Sequence, residues 1–247
     1  MSTFQSFIDR VCIINLPEQT GRLQSVKNEL KGLGFDPESD QIRVPFAPRP
    51  DDAHGFTSKG VYGNFLSHLS ILQEARKDGL KRIMVLEDDA IFLRSARQTS
   101  EQKKLVDALE ARDWGMWFGG HKLTRELAGE TGFLVPTTLG FTWAHCYVVN
   151  HTALGDLVDY MEETLERPVG DPKGGKMYID GAFGHFRRQF PQHVCLVSNP
   201  AISIQKGVTS NLSATSGLAR HVGANVTAAA RSARDEIWRW TGLRYGR

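Results

Sequence analysis

The stretch KRIMVLEDDAIFL, Lys81 to Leu93, carries an apolar run from Ile83 to Leu86 straight into Glu87, Asp88 and Asp89. Apolar residues resume at once with Ala90, Ile91 and Phe92. A short apolar run of this kind has the length of a buried strand. Three adjoining carboxylates repel one another, and burial raises the cost of each charge. Something positive is expected to compensate them.

The residues before this stretch alternate between strand and helix patterns. RVCIINL is a short β-rich run closed by PEQTG. RLQSVKNELKGLGF spaces Leu23, Val26, Leu30 and Leu33 as a helix does, with Gly32 and Gly34 at its end. QIRVPFAP reads as a second strand, followed by the polar loop RPDDAHGFTSKG. GVYGNFLSHLSILQEARKDGL becomes a helix with Leu66, Leu69, Leu72 and Ala75 on one face. Strand, helix, strand, helix, strand is the order of an α/β fold with a largely parallel sheet. In such sheets ligands bind beyond the carboxyl ends of the strands, where the acids stand.

Beyond the acids, EQKKLVDALEARDW reads as a helix and GMWFGG as a short strand. FTWAHCYVVN reads as a strand and HTALGDLVDYMEETLE as a helix. MYIDGAFGHFRRQF reads as a short helix, and HVCLVSNPAISIQ as strand-like up to Pro200.

The whole chain has 247 residues, 40% apolar and 23% charged, the balance of a soluble globular protein with a real core. A net charge of only +2 gives no argument for nucleic acid. Cys12, Cys146 and Cys195 are odd in number and far apart, which reads as three reduced, buried thiols. No secretory signal pattern opens the chain, and no run approaches the ~20 apolar residues of a bilayer span. A cytoplasmic protein is expected.

The end of the chain differs from the rest. From Arg220 onward six arginines face only Asp235 and Glu236. Such an Arg/Trp-rich tail suits peripheral contact with an anionic membrane surface. The competing reading is a helix that packs Ile237 and its tryptophans on the body or on a second subunit. A boundary is drawn there: residues 1–214 as the α/β domain and 215–247 as the tail.

Three readings compete for Glu87-Asp88-Asp89. A solvated strand–loop junction is the plainest. A glycoside-hydrolase pair needs carboxylates ~5–9 Å apart across a bond, which adjacent residues supply poorly. A hard divalent cation takes one or two carboxylates together with substrate phosphates. Alternation along an extended chain would aim Glu87 and Asp89 the same way. The metal reading leads, with a phosphate-bearing ligand as its partner.

CIINLPEQTGRL, GVYGNFLSHLSILQEARKDGLKRIMVLEDDA and GFTWAHCYVVNHTALGDLVDYM, in that order, resemble glycosyltransferase family 25. That family includes lipopolysaccharide and lipooligosaccharide sugar transferases and collagen galactosyltransferases. The features that carry the resemblance are Ile14-Asn15-Leu16 with Arg22, and Gly60 and Gly63 with Ser67-His68. Glu87 to Ala90 and Tyr147 with Ala153 and Leu157 complete them. It spans roughly residues 10–205.

The resemblance implies a GT-A-like (Rossmann-like) α/β sandwich with a mixed, largely parallel central sheet. It implies an inverting hexosyl transfer from a nucleotide-sugar, usually a UDP-sugar, to a glycan or lipid-linked acceptor of the lipopolysaccharide type. A divalent metal, typically Mn²⁺ with Mg²⁺ as the alternative, is implied beside Asp89 and Glu87, with Asp88 close by. Asn15, Arg22, Ser67, His68, Glu87 and Asp88 are the implied donor-binding residues. Asp180, where the family carries a late Asp, is the implied general base; a partner of the metal site and a helix N-cap are its alternatives. His121 and His145 are weaker candidates, and Gln205 lies where the family commonly has Gln. This chain departs from the family at PEQTGR, which lacks the usual basic pair, and at Asn64, where many members have Cys. A catalytically degenerate binding protein of the same fold is the competing function.

Overall fold

The computed structural model describes residues 3–121, 127, 130, 132–137 and 143–206. The tail from 215 and the boundary drawn before it lie outside the described residues. The elements in chain order are α1 (Phe4–Phe7), β1 (Arg10–Ile14), α2 (Thr20–Gly32), β2 (Ile42–Arg43), α3 (Lys59–Lys77), β3 (Arg82–Glu87) and β4 (Ala90–Phe92). They continue with α4 (Thr99–Glu110), β5 (Met116–Phe118), β6 (Leu134–Pro136), β7 (Cys146–Asn150), α5 (His151–Glu166), α6 (Ile179–Gln189), β8 (Cys195–Ser198) and β9 (Ser203–Gln205).

A 7-stranded sheet runs in the order β2-β1-β3-β7-β5-β8-β6. β1 is parallel to β2 and β3, and β5 is parallel to β8. β7 and β6 run antiparallel to their neighbours. The sheet is therefore mixed and largely parallel, as expected.

Both faces are buried, because the strands alternate between two apolar cores. Cys12, Ile83, Val85, Met116, Phe118, Tyr147, Val149 and Val197 pack on the side of α3, α5 and α6. Val11, Ile13, Met84, Leu86, Trp117, Cys146, Val148 and Leu196 pack on the side of α1, α2 and α4. This gives a helix–sheet–helix sandwich. Among the described residues no helix is long and apolar enough to cross a membrane.

The structure corrects the sequence reading in places. QIRVPFAP forms only the two-residue strand Ile42–Arg43, since Pro45 has no N–H for the sheet ladder. HVCLVSNPAISIQ divides into β8 and β9, and Asn199–Pro200 between them is a cis peptide. β9 leaves the main sheet and pairs antiparallel with β4 in a separate ribbon, Ala90 opposite Gln205. Glu87 thus ends β3, and Asp88 and Asp89 form the two-residue turn between β3 and β4, held by a sheet on either side.

Gly63 in α3 is required by close approach: a Cβ there would stand 2.7 Å from the Pro48 carbonyl oxygen. Gly155 in α5 has open space around it. Gly63→Ala is therefore expected to lower Tm by about 3 °C or more, overpacking outweighing the helix propensity gained. Gly155→Ala is expected to raise Tm by about 2 °C. Thermal melts of the two variants check the pair, and an equal rise in both would mean that the strap at Pro48 yields freely.

Candidate functional site

The site grows out of the register of β1 and β3. Ile14 stands beside Glu87, so Asn15 and Asp88 follow one step beyond, at the carboxyl edge of the sheet. Glu87 continues the alternation of Ile83 and Val85 and so faces α3. There its Oε1 accepts a hydrogen bond from Asn64 Nδ2 (3.3 Å), and His68 Nε2 lies 3.6 Å from the same oxygen. Its Oε2 accepts from Gln205 Nε2 (3.3 Å), and its backbone N–H donates to the His145 carbonyl (2.9 Å). Burial pushes the Glu87 carboxyl up, but the His68 imidazole and the Asn64 amide outweigh it and hold it below the ordinary value.

The chain then turns, and the next two acids look elsewhere. Arg22, in the first turn of α2, places Nη2 2.7 Å from Asp88 Oδ1 and 3.5 Å from Asp89 Oδ2. This is a correction: Glu87 and Asp89 were expected to project together on an extended end. The turn ends that alternation, and Asp88 and Asp89 share a partner while Glu87 has others. Arg22, expected among the donor-binding residues, pairs with Asp88 and Asp89.

Among the described residues one guanidinium faces Asp88 and Asp89. Burial pushes the Asp89 carboxyl up to about 8, reinforced by Glu87 and opposed by Arg22. Burial likewise raises Asp88 to about 6, opposed by Arg22. Among the described residues, Asp89 Oδ1, Asn15 Oδ1 and Arg22 Nε are buried without a hydrogen-bond partner. Asn15 spends its amide N–H on the Leu16 carbonyl (2.8 Å), which leaves its oxygen as an open acceptor.

Ser67 and His68 have internal partners. The Ser67 hydroxyl donates to the Gly63 carbonyl of its own helix (2.8 Å), a structural bond. His68 is fully buried; its Nδ1 is 2.8 Å from the Tyr147 hydroxyl, and its ring stacks on that of Tyr147. The Tyr147 phenol is pushed well up by burial and then by Glu87, so it keeps its proton. His68 thus sits behind Glu87.

Asp180 lies in the first turn of α6. Its Oδ1 accepts from Gly181 N–H (2.8 Å) and its Oδ2 from Trp143 N–H (3.3 Å). Trp143 has φ +86°, a strained backbone for an aromatic residue, and its ring meets His145 edge-on. His145 Nε2 is 3.1 Å from Ser203 Oγ, and burial lowers its pKa to about 4, so it is neutral. A Cβ on Gly120 would fall 2.2 Å from His145 Nε2, so only glycine leaves that ring its place. His121 Nε2 meets the Ser198 carbonyl at 2.6 Å. Segment 143–145 therefore links Asp180 to the backbone of Glu87.

The donor chemistry fits a hard divalent cation in its general form. Asp89 offers a buried carboxylate oxygen without a partner, and Asp88 is next to it. Among the described residues no three His, Cys, Asp or Glu side chains form a ready cage. One or two carboxylates completed by substrate phosphates would suffice for a small divalent cation.

The model of Glycosyltransferase family 25 (LPS biosynthesis protein) matches residues 8–171. The chain belongs to glycosyltransferase family 25. The match contains Asn15, Arg22, His68 and the three acids, whereas Asp180 and Gln205 lie past its end. A mouse relative, inactive glycosyltransferase 25 family member 3, is 34% identical over 93 residues. Those residues are 38% of this chain and 14% of that protein's length. Among solved structures, a glycosyltransferase involved in the glycosylation of the major capsid of PBCV-1 is similar at 12% identity and TM-score 0.48, covering 92% of this chain and 99% of that one. Mouse xyloside xylosyltransferase 1 is similar at 11% identity and TM-score 0.39, covering 74% and 83%. Within this family 25 chain, Asn64 was read only as a departure from the usual Cys; the structure places its amide on Glu87.

The acid turn sets a pH dependence. Asp88 and Asp89 bind protons more tightly folded than unfolded, so their contribution is full at low pH. It is lost as pH rises through about 6 for Asp88 and about 8 for Asp89. Glu87 acts oppositely, its contribution being lost as pH falls through its lowered folded pKa. Asp89→Asn is expected to raise Tm by about 3 °C or more at pH 8.5 and to change it little at pH 5. Thermal melts at the two pH values, without added metal, check this.

Proposed function

We propose that the chain is an inverting, metal-dependent glycosyltransferase. It moves a hexosyl group from a nucleotide-sugar, a UDP-sugar in the first instance, to a glycan or lipopolysaccharide-type acceptor. The observation that carries the reading is the buried Asp89 oxygen, without a partner among the described residues, in an acid turn at the carboxyl edge of the sheet. Family membership supplies the reaction class.

A divalent cation, Mn²⁺ or Mg²⁺, would be held by Asp89 with Asp88 or Glu87, and when bound supplies Lewis-acid stabilisation of the leaving diphosphate. Glu87, held by His68, Asn64 and Gln205, keeps its negative charge beside the turn. Arg22 is positioned to exchange its hold on Asp88 for a phosphate oxygen. The open acceptor of Asn15 suits a hydroxyl of the donor. Asp180 is the group proposed to take the proton of the acceptor hydroxyl, its carboxylate aimed by the N–H groups of Gly181 and Trp143.

The second reading is a degenerate member that binds donor without turnover. It is favoured by the inactive mouse relative and by Arg22, which already neutralises part of the cluster.

A donor screen decides between them. The protein is incubated with Mn²⁺ and individual nucleotide-sugars, with water as acceptor, and released nucleotide and thermal shift are read. The proposed enzyme is stabilised by one donor in a metal-dependent way and hydrolyses it slowly. Stabilisation without release, also in the presence of glycan acceptors, would favour the degenerate reading; no stabilisation by any donor would sink both. Asp89→Ala is expected to abolish the metal dependence. Asp180→Asn is expected to keep donor affinity and to lower turnover by about 100-fold or more.

A further inference from the structure

The segment from Val44 to Pro50 has no part in the chemistry above, yet it crosses the same edge of the sheet. It leaves the carboxyl end of β2, beside β1. The Arg49 guanidinium pairs with Glu18 in the loop after β1. The Pro48 carbonyl lies against Gly63, whose neighbour Asn64 reaches Glu87. Ala47 is buried at 5% and fastens the segment, while Phe46 beside it is 77% exposed. Pro45, Pro48 and Pro50 fix their own φ and so stiffen its backbone. An exposed phenyl ring on a stiff, anchored strap has nothing to gain from the fold itself.

Strand order says what stands at the right distance. From the acids after β3 to the end of β2 is two strand spacings, ~10 Å. Asn15 and Arg22 lie between, after β1. A nucleoside diphosphate with its phosphates at Asp88, Asp89 and Arg22 and its ribose past Asn15 would bring its base to the β2 edge. The acceptor side, with Trp143 and Asp180, lies the other way, toward β7 and α6.

We infer that Phe46 is the stacking platform for the nucleobase of the donor, an inference that rests on the nucleotide-sugar reading. The flat ring accepts the face of a base, and the exposed Val44 two residues earlier extends the apolar surface.

Calorimetric titrations of UDP and GDP, with inorganic pyrophosphate as the control, test this in Mn²⁺ with wild-type protein, Phe46→Ala and Phe46→Tyr. Phe46→Ala is expected to weaken the preferred nucleotide by roughly 10-fold and to leave pyrophosphate unchanged. Phe46→Tyr is expected to restore binding, and Tm is expected to stay at the wild-type value because the ring is mostly in solvent. A nucleotide affinity within twofold of wild type in Phe46→Ala overturns the stacking role and leaves the nucleotide-sugar reading standing. Equal loss of nucleotide and pyrophosphate also overturns it, since the variant would then have disturbed the phosphate end. Wild-type protein that binds neither diphosphate would overturn the nucleotide-sugar reading and the stacking role together.

Discussion

The parallel pairing of β1 with β3, Ile14 beside Glu87, is the constraint on which the site depends. Both strands are buried on two faces, so a slip of one residue would exchange the cores that Val11, Ile13, Met84 and Leu86 share with α2. The register therefore cannot drift. It brings the end of β1, with Asn15 and then Arg22, alongside the acid turn, although these residues are more than sixty positions apart. The ribbon of β4 and β9 closes the turn from its other side, with Lys206 N–H on the Asp89 carbonyl at 2.7 Å.

Within that frame the three acids have separate environments. Glu87 is surrounded by hydrogen-bond donors and a histidine and keeps its charge. Among the described residues Asp88 and Asp89 share the Arg22 guanidinium, and both are raised by burial, Asp89 the more strongly. A buried carboxyl raised in this way, with one oxygen unpartnered, is in a high-energy state as long as it is charged. A bound cation would relieve it, and so would a proton. That competition would tie any cation binding at the turn to pH.

His68, Ser67 and Arg22 show how much of a site's internal bonding residue type alone leaves unread. Each carries a group that binds phosphate or sugar readily, and each lies next to the site. The fold spends Ser67 on its own helix, His68 on Tyr147 and Glu87, and Arg22 on the acids. Tyr147 and Asn64 in turn support Glu87 from positions that periodicity reads only as strand and helix. Their contacts depend on which faces of β7 and α3 meet, and no local pattern encodes that.

Read by itself, the chain determined the α/β class and the acids at a strand end. It also determined the resemblance to family 25 that the family match bears out. Those features are local: apolar periodicity, a short run that halts at charge, and motifs in order along the chain. Tertiary structure decided the antiparallel course of β7 and β6, the ribbon of β4 with β9 and the turn that parts Asp89 from Glu87. It also decided which cation answers the acids. These follow from pairing and packing between segments distant in sequence. There the free energy lies in buried apolar area and satisfied backbone bonds, and a reading along one dimension does not contain them.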